Sequence, residues 1–534
     1  MNLINTIKNL FRKGGAALGV VQSLGQITDH PKISVDPKEY ARIALDKRYF
    51  EGKFRKIEFR NTYGDLKKRP YVTLNMMQVI CRRLASLLYN EQSKITIETR
   101  PEKTDESGNT VDYKAPDEAD TFIHEVLEDN DFNKNFERYL ESCLALGGIA
   151  IRPYVDYSTK KIKLSWVQAP SFYPLRSNTN DVSNAAIATR TVRTEGKQTV
   201  YYTLLEFHEW SENEYTITNE LYRSETSDTV GIKVDLSTLY PDLPPLVNLD
   251  TSVFTRPLFV YLKPAGFNNR NITSPLGIGV CDNALNTLKQ LNDAYDQFNW
   301  EVKMGQRRVA VADSMTEITF GREGQKEPKQ VFDPDQNVFL SVQGGGMDDK
   351  TVQDLTTPIR SQDYVASLNH FLKTLEMQVG LSSGTFSFDT AGNIQNKTAT
   401  EVVSENSMTY QTRNSHLTMV ERAVQELCVS ICELASGTVI NGSALYSGPI
   451  PTIDQVTVDF DDGVFTDKSA SLDYWIKANA AGLVPKRVAI ARALDVPDEV
   501  AEQYAAEVSK ESPEPVAPQD SQSGLFDDDG DANA

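Results

Sequence analysis

The side chains of this 534-residue chain that could do chemistry are first its histidines and cysteines. The five histidines stand far apart, without the H-E-x-x-H spacing of a zinc hydrolase and without a cysteine placed for a nucleophile dyad. The five cysteines contain no C-x-x-C pair, so we expect all of them to be reduced and none to hold zinc. These residues are His30, His124, His208, His370, His416, Cys81, Cys143, Cys281, Cys428 and Cys432.

The glycine turns and acidic clusters predict no phosphate or cation site. Gly321-Arg-Glu-Gly-Gln-Lys-Glu lacks the spacing of a Walker loop, and Gly277-Ile-Gly279 is not completed to G-x-G-x-x-G. Asp333-Pro-Asp335 and Asp459-Phe-Asp-Asp462 lack the glycine and terminal glutamate of an EF-hand. The sequence therefore predicts no cofactor, no metal and no catalytic set. It does not exclude an enzyme, because catalytic triads are assembled from distant positions.

Charge argues against a protein that coats nucleic acid, because the chain has a formal charge of −19 and tight binders cluster Lys and Arg. One basic patch stands out: residues 37–69 hold eleven Lys or Arg against five Asp or Glu. A solvated face, an acidic neighbouring subunit and nucleic acid all remain open as its surroundings. Residues 1–13 predict a short amphipathic helix that packs on protein or lies on a membrane surface. With no signal peptide and no run of about 18 apolar residues, we expect a soluble protein without a membrane partner.

The elements that must position any site begin with an α+β body. An amphipathic helix with Met76, Val79, Ile80, Leu84 and Leu87 on one face is followed by an alternating strand at 94–98. Residues 117–146 predict a helix broken near 129–131 and ended by Gly147. Short strands rich in Thr, Tyr, Val and Ile are predicted after it at 149–155, 161–167, 186–193, 199–210 and 214–222.

Two helices with apolar residues at strict 3-4 spacing follow, which is typical of a narrow seam that packs against other helices. A small module with strands at 309–312 and 338–342 interrupts the pair, and Gly380 predicts the end of the second helix. The predicted seam residues are Leu288, Leu291, Tyr295, Phe298, Val302, Leu368, Leu372 and Leu375.

The rest of the chain predicts a polar loop at 382–397, a long helix from Thr398 to Leu434 and a strand at 455–460. Asn406 and Arg413 interrupt the seam of the long helix. Short helices are predicted at 470–481 and 486–494, and an acidic, proline-containing tail closes the chain.

This order of elements resembles that of tailed-bacteriophage portal proteins of the siphophage type, over about residues 35–500. Three local sequences sharpen the resemblance: Leu74-Asn-Met-Met-Gln-Val-Ile-Cys-Arg-Arg-Leu-Ala-Ser-Leu-Leu-Tyr-Asn-Glu91, Ser274-Pro-Leu-Gly-Ile-Gly279 and Leu291-Asn-Asp-Ala-Tyr-Asp-Gln-Phe-Asn-Trp-Glu301. The resemblance implies an elongated α+β subunit with wing, helical stem, small β-containing clip and α-helical crown. Its implied regions are an N-terminal segment (1–36), wing (37–274), first stem helix (275–308), clip (309–359), second stem helix (360–381), pore loop (382–397), long wing helix and strand (398–464), crown (465–510) and disordered acidic tail (511–534).

The resemblance also implies a function: a ring, commonly a dodecamer, at one capsid vertex of the virion, assembled in the host cytoplasm, through which DNA is packaged and ejected. The implied partners are further copies of the chain, the terminase large subunit that hydrolyses ATP, a head-completion adaptor, capsid and scaffolding proteins, and double-stranded DNA without sequence specificity.

Three sets of site residues follow as expectations. The pore loop is expected to face DNA through side chains that are short or neutral apart from one lysine, or else is a plain surface linker; the residues are Ser382, Ser383, Thr385, Asn393, Gln395, Asn396 and Lys397. The helical seam is completed either by the next subunit or within the chain. Lys303, Arg307 and Arg308, near the junction of stem and clip, face DNA or pair with neighbouring acids.

Two other functions stay open at this point. One is a multidomain hydrolase or transferase with a helical dimerisation segment and an active site without a motif. The other is a different virion protein such as an adaptor, although adaptors are usually shorter. The oligomeric state separates the first alternative from a portal, because an enzyme of that kind predicts a small oligomer.

Overall fold

A computed structural model provides the fold, and the statements below concern the residues that it describes. They are 23–60, 64–90, 93–101, 103–104, 110–111, 117–178, 181–211, 214–305, 309–312, 339–342, 353–354, 356–387, 407–440, 442–460, 468–494, 496, 501–502 and 504–507. The chain divides into two compact units, residues 1–461 and 462–534.

Helices and strands of the described residues have the following bounds. The helices are α1 (Pro37–Phe50), α2 (Met76–Leu88), α3 (Glu118–Asp129), α4 (Phe132–Leu146), α5 (Leu285–Met304), α6 (Ser361–Val379), α7 (Ser407–Gly437), α8 (Lys468–Ala480) and α9 (Lys486–Leu494). The strands are β1 (Ser23–Leu24), β2 (Ile57–Arg60), β3 (Leu66–Arg69), β4 (Lys94–Ile97), β5 (Lys103–Thr104), β6 (Thr110–Val111), β7 (Ile149–Asp156), β8 (Lys161–Gln168), β9 (Phe172–Asn178), β10 (Asp181–Glu195), β11 (Gln198–Trp210), β12 (Tyr215–Ser224), β13 (Gly231–Val234), β14 (Leu246–Leu249), β15 (Val260–Leu262), β16 (Val309–Ala312), β17 (Phe339–Val342), β18 (Gln353–Asp354), β19 (Val439–Ile440), β20 (Ser443–Ala444) and β21 (Val456–Asp459).

The largest sheet is antiparallel, with the strand order β1-β13-β12-β11-β10-β9. Strand β11 pairs with one edge of β12, and β13 and β14 pair with different parts of its other edge. A second antiparallel sheet has the order β15-β7-β8. Mixed helix and sheet in one unit agrees with the α+β class expected from the sequence.

The main core lies where α2, α4 and α7 meet the β15-β7-β8 sheet. Ile80, Cys81 and Leu84 of α2 are fully buried there. The prediction for Val79 was wrong, because its side chain is 36% exposed. The buried face of α2 contains Met77 and the residues that follow it at spacings of three and four. Val79 lies outside this face.

The predicted break between α3 and α4 is confirmed. Asp131 takes a left-handed backbone conformation (φ 47°), and Gly147 (φ 87°) ends α4, with its N–H donating to the carbonyl of Cys143. The predicted strands at 94–98 and 455–460 form β4 and β21, which pair antiparallel with each other. All five cysteines are free and buried, in agreement with the expectation of reduced thiols.

Between α5 and α6, the described residues of the inserted module form a three-stranded sheet. Strand β16 pairs parallel with β17 and antiparallel with β18. Both strands predicted in this module are therefore present. In the second unit, α8 and α9 confirm the two predicted short helices, and Gly482 (φ 72°) lies in the turn between them. Among the described residues, no helix has the length and apolarity needed to span a membrane.

Candidate subunit interface and channel loop

Helices α5 and α6 form an antiparallel pair whose two ends have different surroundings. At the base, next to the core, the seam residues Leu288, Leu291, Leu368, Leu372 and Leu375 are at most 4% exposed. This half of the predicted seam is therefore covered within the chain.

At the distal end, close to the inserted module, the seam is open. Val302 is 46% exposed and Val365 is 39% exposed, while Tyr295 and Phe298 are half-buried. Phe298 packs on the ring of Tyr364, with 5.2 Å between the ring centroids. The open seam is extended by further exposed apolar side chains, Met304 and Ile359.

A bidentate ion pair joins the distal ends of α5 and α6. The guanidinium of Arg360 donates to both carboxylate oxygens of Glu301, at 3.1 and 2.6 Å, and its backbone N–H donates to the same group at 3.0 Å. These hydrogen bonds lower the pKa of Glu301 to about 2. The distal half is thus held by this ion pair together with the packing of Phe298 on Tyr364.

Helix α5 is fastened to the chain that precedes α2. Arg69 donates to both oxygens of Asp296, at 2.7 and 2.6 Å, and the Val72 N–H donates to the same carboxylate. The hydroxyl of Tyr71 donates to Asp293 at 2.7 Å. Burial opposes the ionisation of Asp296, but the hydrogen bonds from Arg69 and Val72 outweigh it and lower the pKa of this carboxyl.

A buried ionic cluster joins α1 to the turn that precedes α5. Arg42 contacts Glu39 at 3.0 Å and Asp282 at 3.2 Å, and Arg270 donates to Asp282 at 2.9 Å. Burial, together with the charge of Asp282, raises the pKa of the neighbouring Asp46 to about 8. Arg42 also contacts Asp46, at 3.4 Å, and this contact opposes the shift of that carboxyl towards its protonated form.

The loop that follows α6 is held at its root by Glu376, a fully buried carboxylate. It accepts hydrogen bonds from the backbone N–H groups of Gly384 (2.9 Å), Phe386 (2.5 Å) and Ser387 (3.2 Å). Gly380 ends α6 in the left-handed conformation (φ 75°), as predicted, and its carbonyl accepts from the hydroxyl of Thr412 in α7. Helix α7 therefore supports the loop from the other side.

The structure separates the predicted loop residues. Ser382 is only 4% exposed and exchanges hydrogen bonds with Thr409, so it fastens the loop and has no free surface to offer DNA. Ser383 and Thr385 are exposed. The remaining members of the set lie outside the described residues: Asn393, Gln395, Asn396 and Lys397.

Of the three predicted basic residues at the end of α5, only Lys303 lies in the described part of the chain. Its side chain is exposed and its ammonium lies 5.9 Å from the ring centroid of Trp300. Arg307 and Arg308 fall outside the described residues. The long helix is observed from Ser407 to Gly437, so its predicted start and Asn406 also fall outside them.

Sequence reasoning missed the side chains that fasten these elements. Glu376 and Asp296 are acidic residues next to an apolar seam. An acid at such a position indicates a buried carboxylate with hydrogen-bond partners, and this was the signal that the sequence offered. Arg413 was noted only as an interruption of the α7 seam. It is buried, and its Nε donates to the carbonyl of Leu87 at 2.8 Å, which ties α7 to the end of α2.

The described histidines have structural surroundings. His208 is buried within the large sheet between Glu206 and the Tyr215 hydroxyl, each at 2.6 Å. Burial lowers the pKa of His416 to about 4, and its Nδ1 accepts from the Ala265 N–H. Among the described residues, no group of three or more His, Cys, Asp or Glu is arranged to hold a metal ion.

Comparison with protein families identifies the chain. Residues 29–514 match the family described as phage portal protein, SPP1 Gp6-like. The match covers more than nine tenths of the sequence, so the chain belongs to this family, which is structural rather than enzymatic. Its role is that of a portal, the head-to-tail connector component of a phage-type virion.

Solved structures give more distant likenesses, each with 10% sequence identity over 85% of this chain. They are the virion of a native gene transfer agent (93% of that chain, TM-score 0.41), the neck of the native particle computed with C12 symmetry (99%, 0.39) and the neck of the empty particle computed with C6 symmetry (93%, 0.38). A search of the curated proteins gives no match.

Proposed function

We propose that copies of this chain close into a ring, a dodecamer, whose central channel carries double-stranded DNA into the capsid and out again. The contact with DNA is independent of sequence. The ring is not an enzyme in this proposal: the terminase large subunit docks on it and hydrolyses ATP during packaging. A head-completion adaptor replaces the terminase afterwards, and capsid and scaffolding proteins surround the ring at one vertex.

The observation that carries the proposal is the half-covered helix pair. The seam of α5 and α6 is continuous in sequence, but only its base is buried within the chain, and Val302 and Val365 remain exposed. An open apolar seam on ordered helices is favourable to cover with protein. A contact between two different faces of identical subunits generates a closed ring when the rotation between them closes.

The regions keep the functions that the family implies. We assign the wing to residues 37–274 and the long helix and strand at 398–464, the stem to 275–308 and 360–381, and the clip to 309–359. The crown is residues 465–510, after which the acidic tail follows. In this assignment the clip meets the terminase and the adaptor, because it lies at the far end of the stem from the core.

The loop after α6 lines the channel in this proposal. Ser383 and Thr385 carry no charge, and short neutral side chains allow phosphates to pass without the release of bound counterions that makes DNA binding tight. The buried contacts of Glu376 fix where the loop leaves the helix. Lys303 faces either DNA or an acid of the adjacent subunit.

The test is the mass and symmetry of the purified protein, measured by native mass spectrometry together with class averages of negatively stained particles. The proposal expects rings of one size, close to twelve subunits, with a central hole. A stable monomer or dimer at high protein concentration would overturn the proposal and would favour the alternative function, a hydrolase or transferase.

A further inference from the structure

The first of two oppositely charged surfaces is a basic hairpin, residues 53–69, formed by β2 and β3. It holds seven Lys or Arg and two acids in a chain whose total charge is −19. Arg55, Lys56 and Lys67 are exposed, and among the described residues none of these three makes an ion pair within the chain. The hairpin therefore presents unneutralised positive charge to its surroundings.

The orientation of the basic hairpin is fixed by contacts with α5. Phe59 packs edge-on against Trp300, with 5.6 Å between the ring centroids, and Arg69 lies over the same indole at 4.8 Å. Arg69 also makes the bidentate ion pair with Asp296. The outward cations are thus carried on a rigid support, which lowers the entropy that an interface would lose on forming.

The second surface is an acidic stripe on α3, formed by Glu118, Glu125 and Glu128. Their spacing of seven and three residues places them on one face of the helix. All three are exposed, whereas the opposite face, with Ile123 and Leu127, is buried. The stripe therefore points away from the core.

The acids of the stripe are not explained by contacts within the chain. No ion pair joins Glu118, Glu125 or Glu128 to a cation of the described residues. Residues 117–131 contain seven acids and no Lys or Arg. Glu128 lies in the last turn of α3, which has no basic residue, and the helix dipole disfavours negative charge there. The helix dipole favours Glu118, which lies in the first turn, but it does not account for Glu128 at the other end of the stripe.

The two surfaces belong to different parts of the same unit. The basic hairpin packs on the distal half of α5, whereas α3 packs on α4, α7 and β8. A heterologous interface brings two such different surfaces of identical chains together. Their dimensions agree: the stripe spans about 15 Å at the α-helical rise, and a four-residue strand of the hairpin spans about 13 Å.

We propose that the basic hairpin of one subunit docks on the acidic stripe of the next subunit in the ring. This inference rests on the proposed ring and adds to it a second contact, made by charge and separate from the apolar stem seam. Complementary charge fixes the direction of the contact, because two hairpins or two stripes repel each other. It also makes assembly sensitive to salt, since exposed pairs are screened.

Charge reversal tests the pairing. The variant Lys56→Glu/Lys67→Glu is expected to need about tenfold more protein for half-assembly of the ring, or to stay monomeric, because like charges then meet. The variant Glu125→Lys/Glu128→Lys is expected to fail in the same way. Rings made from both pairs of substitutions in one chain are expected to assemble again, because each interface regains opposite charges.

A matched control carries the same change of charge elsewhere, Arg193→Glu/Lys197→Glu, at the exposed end of β10 and in the turn that follows it. It is expected to assemble as the wild type does. Native mass spectrometry at several salt concentrations measures all four variants, and circular dichroism checks that each is folded.

The outcomes separate this inference from the function on which it rests. If the wild type forms no ring, the proposed function fails. If the wild type forms rings and the two single-surface variants assemble equally well, the ring stands and the pairing is wrong. The pairing is also wrong if the combined variant does not recover, or if hairpin reversal abolishes only the binding of a DNA duplex in a mobility-shift assay.

Discussion

The base and the distal half of the α5–α6 pair carry the same 3-4 apolar spacing but have different surroundings. Leu291 and Leu372 at the base are at most 1% exposed, whereas Val302 and Val365 at the distal end are more than a third exposed. One repeat therefore serves two purposes: it builds the core of the subunit at one end and leaves a surface at the other. Packing within the chain is observed for the base, and packing on the next subunit is our proposal for the distal half.

The largest expected effect comes from truncating the base. Leu291→Ala is expected to lower the free energy of unfolding by about 2–5 kcal/mol, since it leaves a cavity in a closed core. Val302→Ala at the distal end is expected to change it by no more than about 0.5 kcal/mol, because the side chain is exposed in the subunit. Urea unfolding of both variants under conditions that keep the chain monomeric measures the difference. Similar losses for the two would remove the distinction between the halves.

A smaller effect is expected at the root of the loop. Glu376→Gln replaces one of two acceptor oxygens by an N–H₂ group that meets backbone donors, and we expect a loss of about 1–3 kcal/mol. Hydrogen exchange should speed up at the amides of Gly384, Phe386 and Ser387.

The control for this variant is Glu433→Gln. Glu433 is also buried, and it accepts a hydrogen bond from the hydroxyl of Thr255, which a glutamine oxygen can still accept. Exchange at the loop amides should not change in this control. Unchanged protection of those amides in Glu376→Gln would mean that the carboxylate does not hold the loop.

The smallest effect is expected from pH at the distal end. The folded pKa of Glu301 is about 2, below its ordinary value of about 4.3. Its pairing with Arg360 therefore contributes fully above about pH 4.3 and is lost as the pH falls through about 2. The difference in melting temperature between wild type and Glu301→Gln should shrink over that range. A difference that is constant from pH 7 to pH 2 would contradict the pairing.

The elements of the helix pair could be predicted from sequence because their signals are local. The 3-4 spacing predicted both helices, Gly380 predicted the end of α6, and the Asp129-Asn-Asp131 break predicted the separation of α3 from α4. A periodic pattern says which side of a helix is apolar. It does not say whether that side is covered by the same chain. The difference between the buried base and the exposed distal half of the α5–α6 pair was therefore not predictable.

The contacts that hold the site together could not be predicted, because they join residues that are distant in sequence. Arg69 and Asp296 are 227 residues apart, and Arg413 reaches a carbonyl 326 residues away. Such pairs depend on the tertiary arrangement. The basic patch at 37–69 was visible in sequence, but only the structure divides it into the buried cluster around Arg42 and an exposed hairpin.

The most direct test of the account compares the native mass of the wild type with that of Val302→Asp/Val365→Asp, which places charges on the open half of the seam. The wild type should form rings of about twelve subunits, as we propose, through a heterologous interface that closes. The variant should remain a folded monomer with the unfolding free energy of the wild-type monomer. Rings that form equally well from the variant, or a wild type that stays monomeric, would contradict the account.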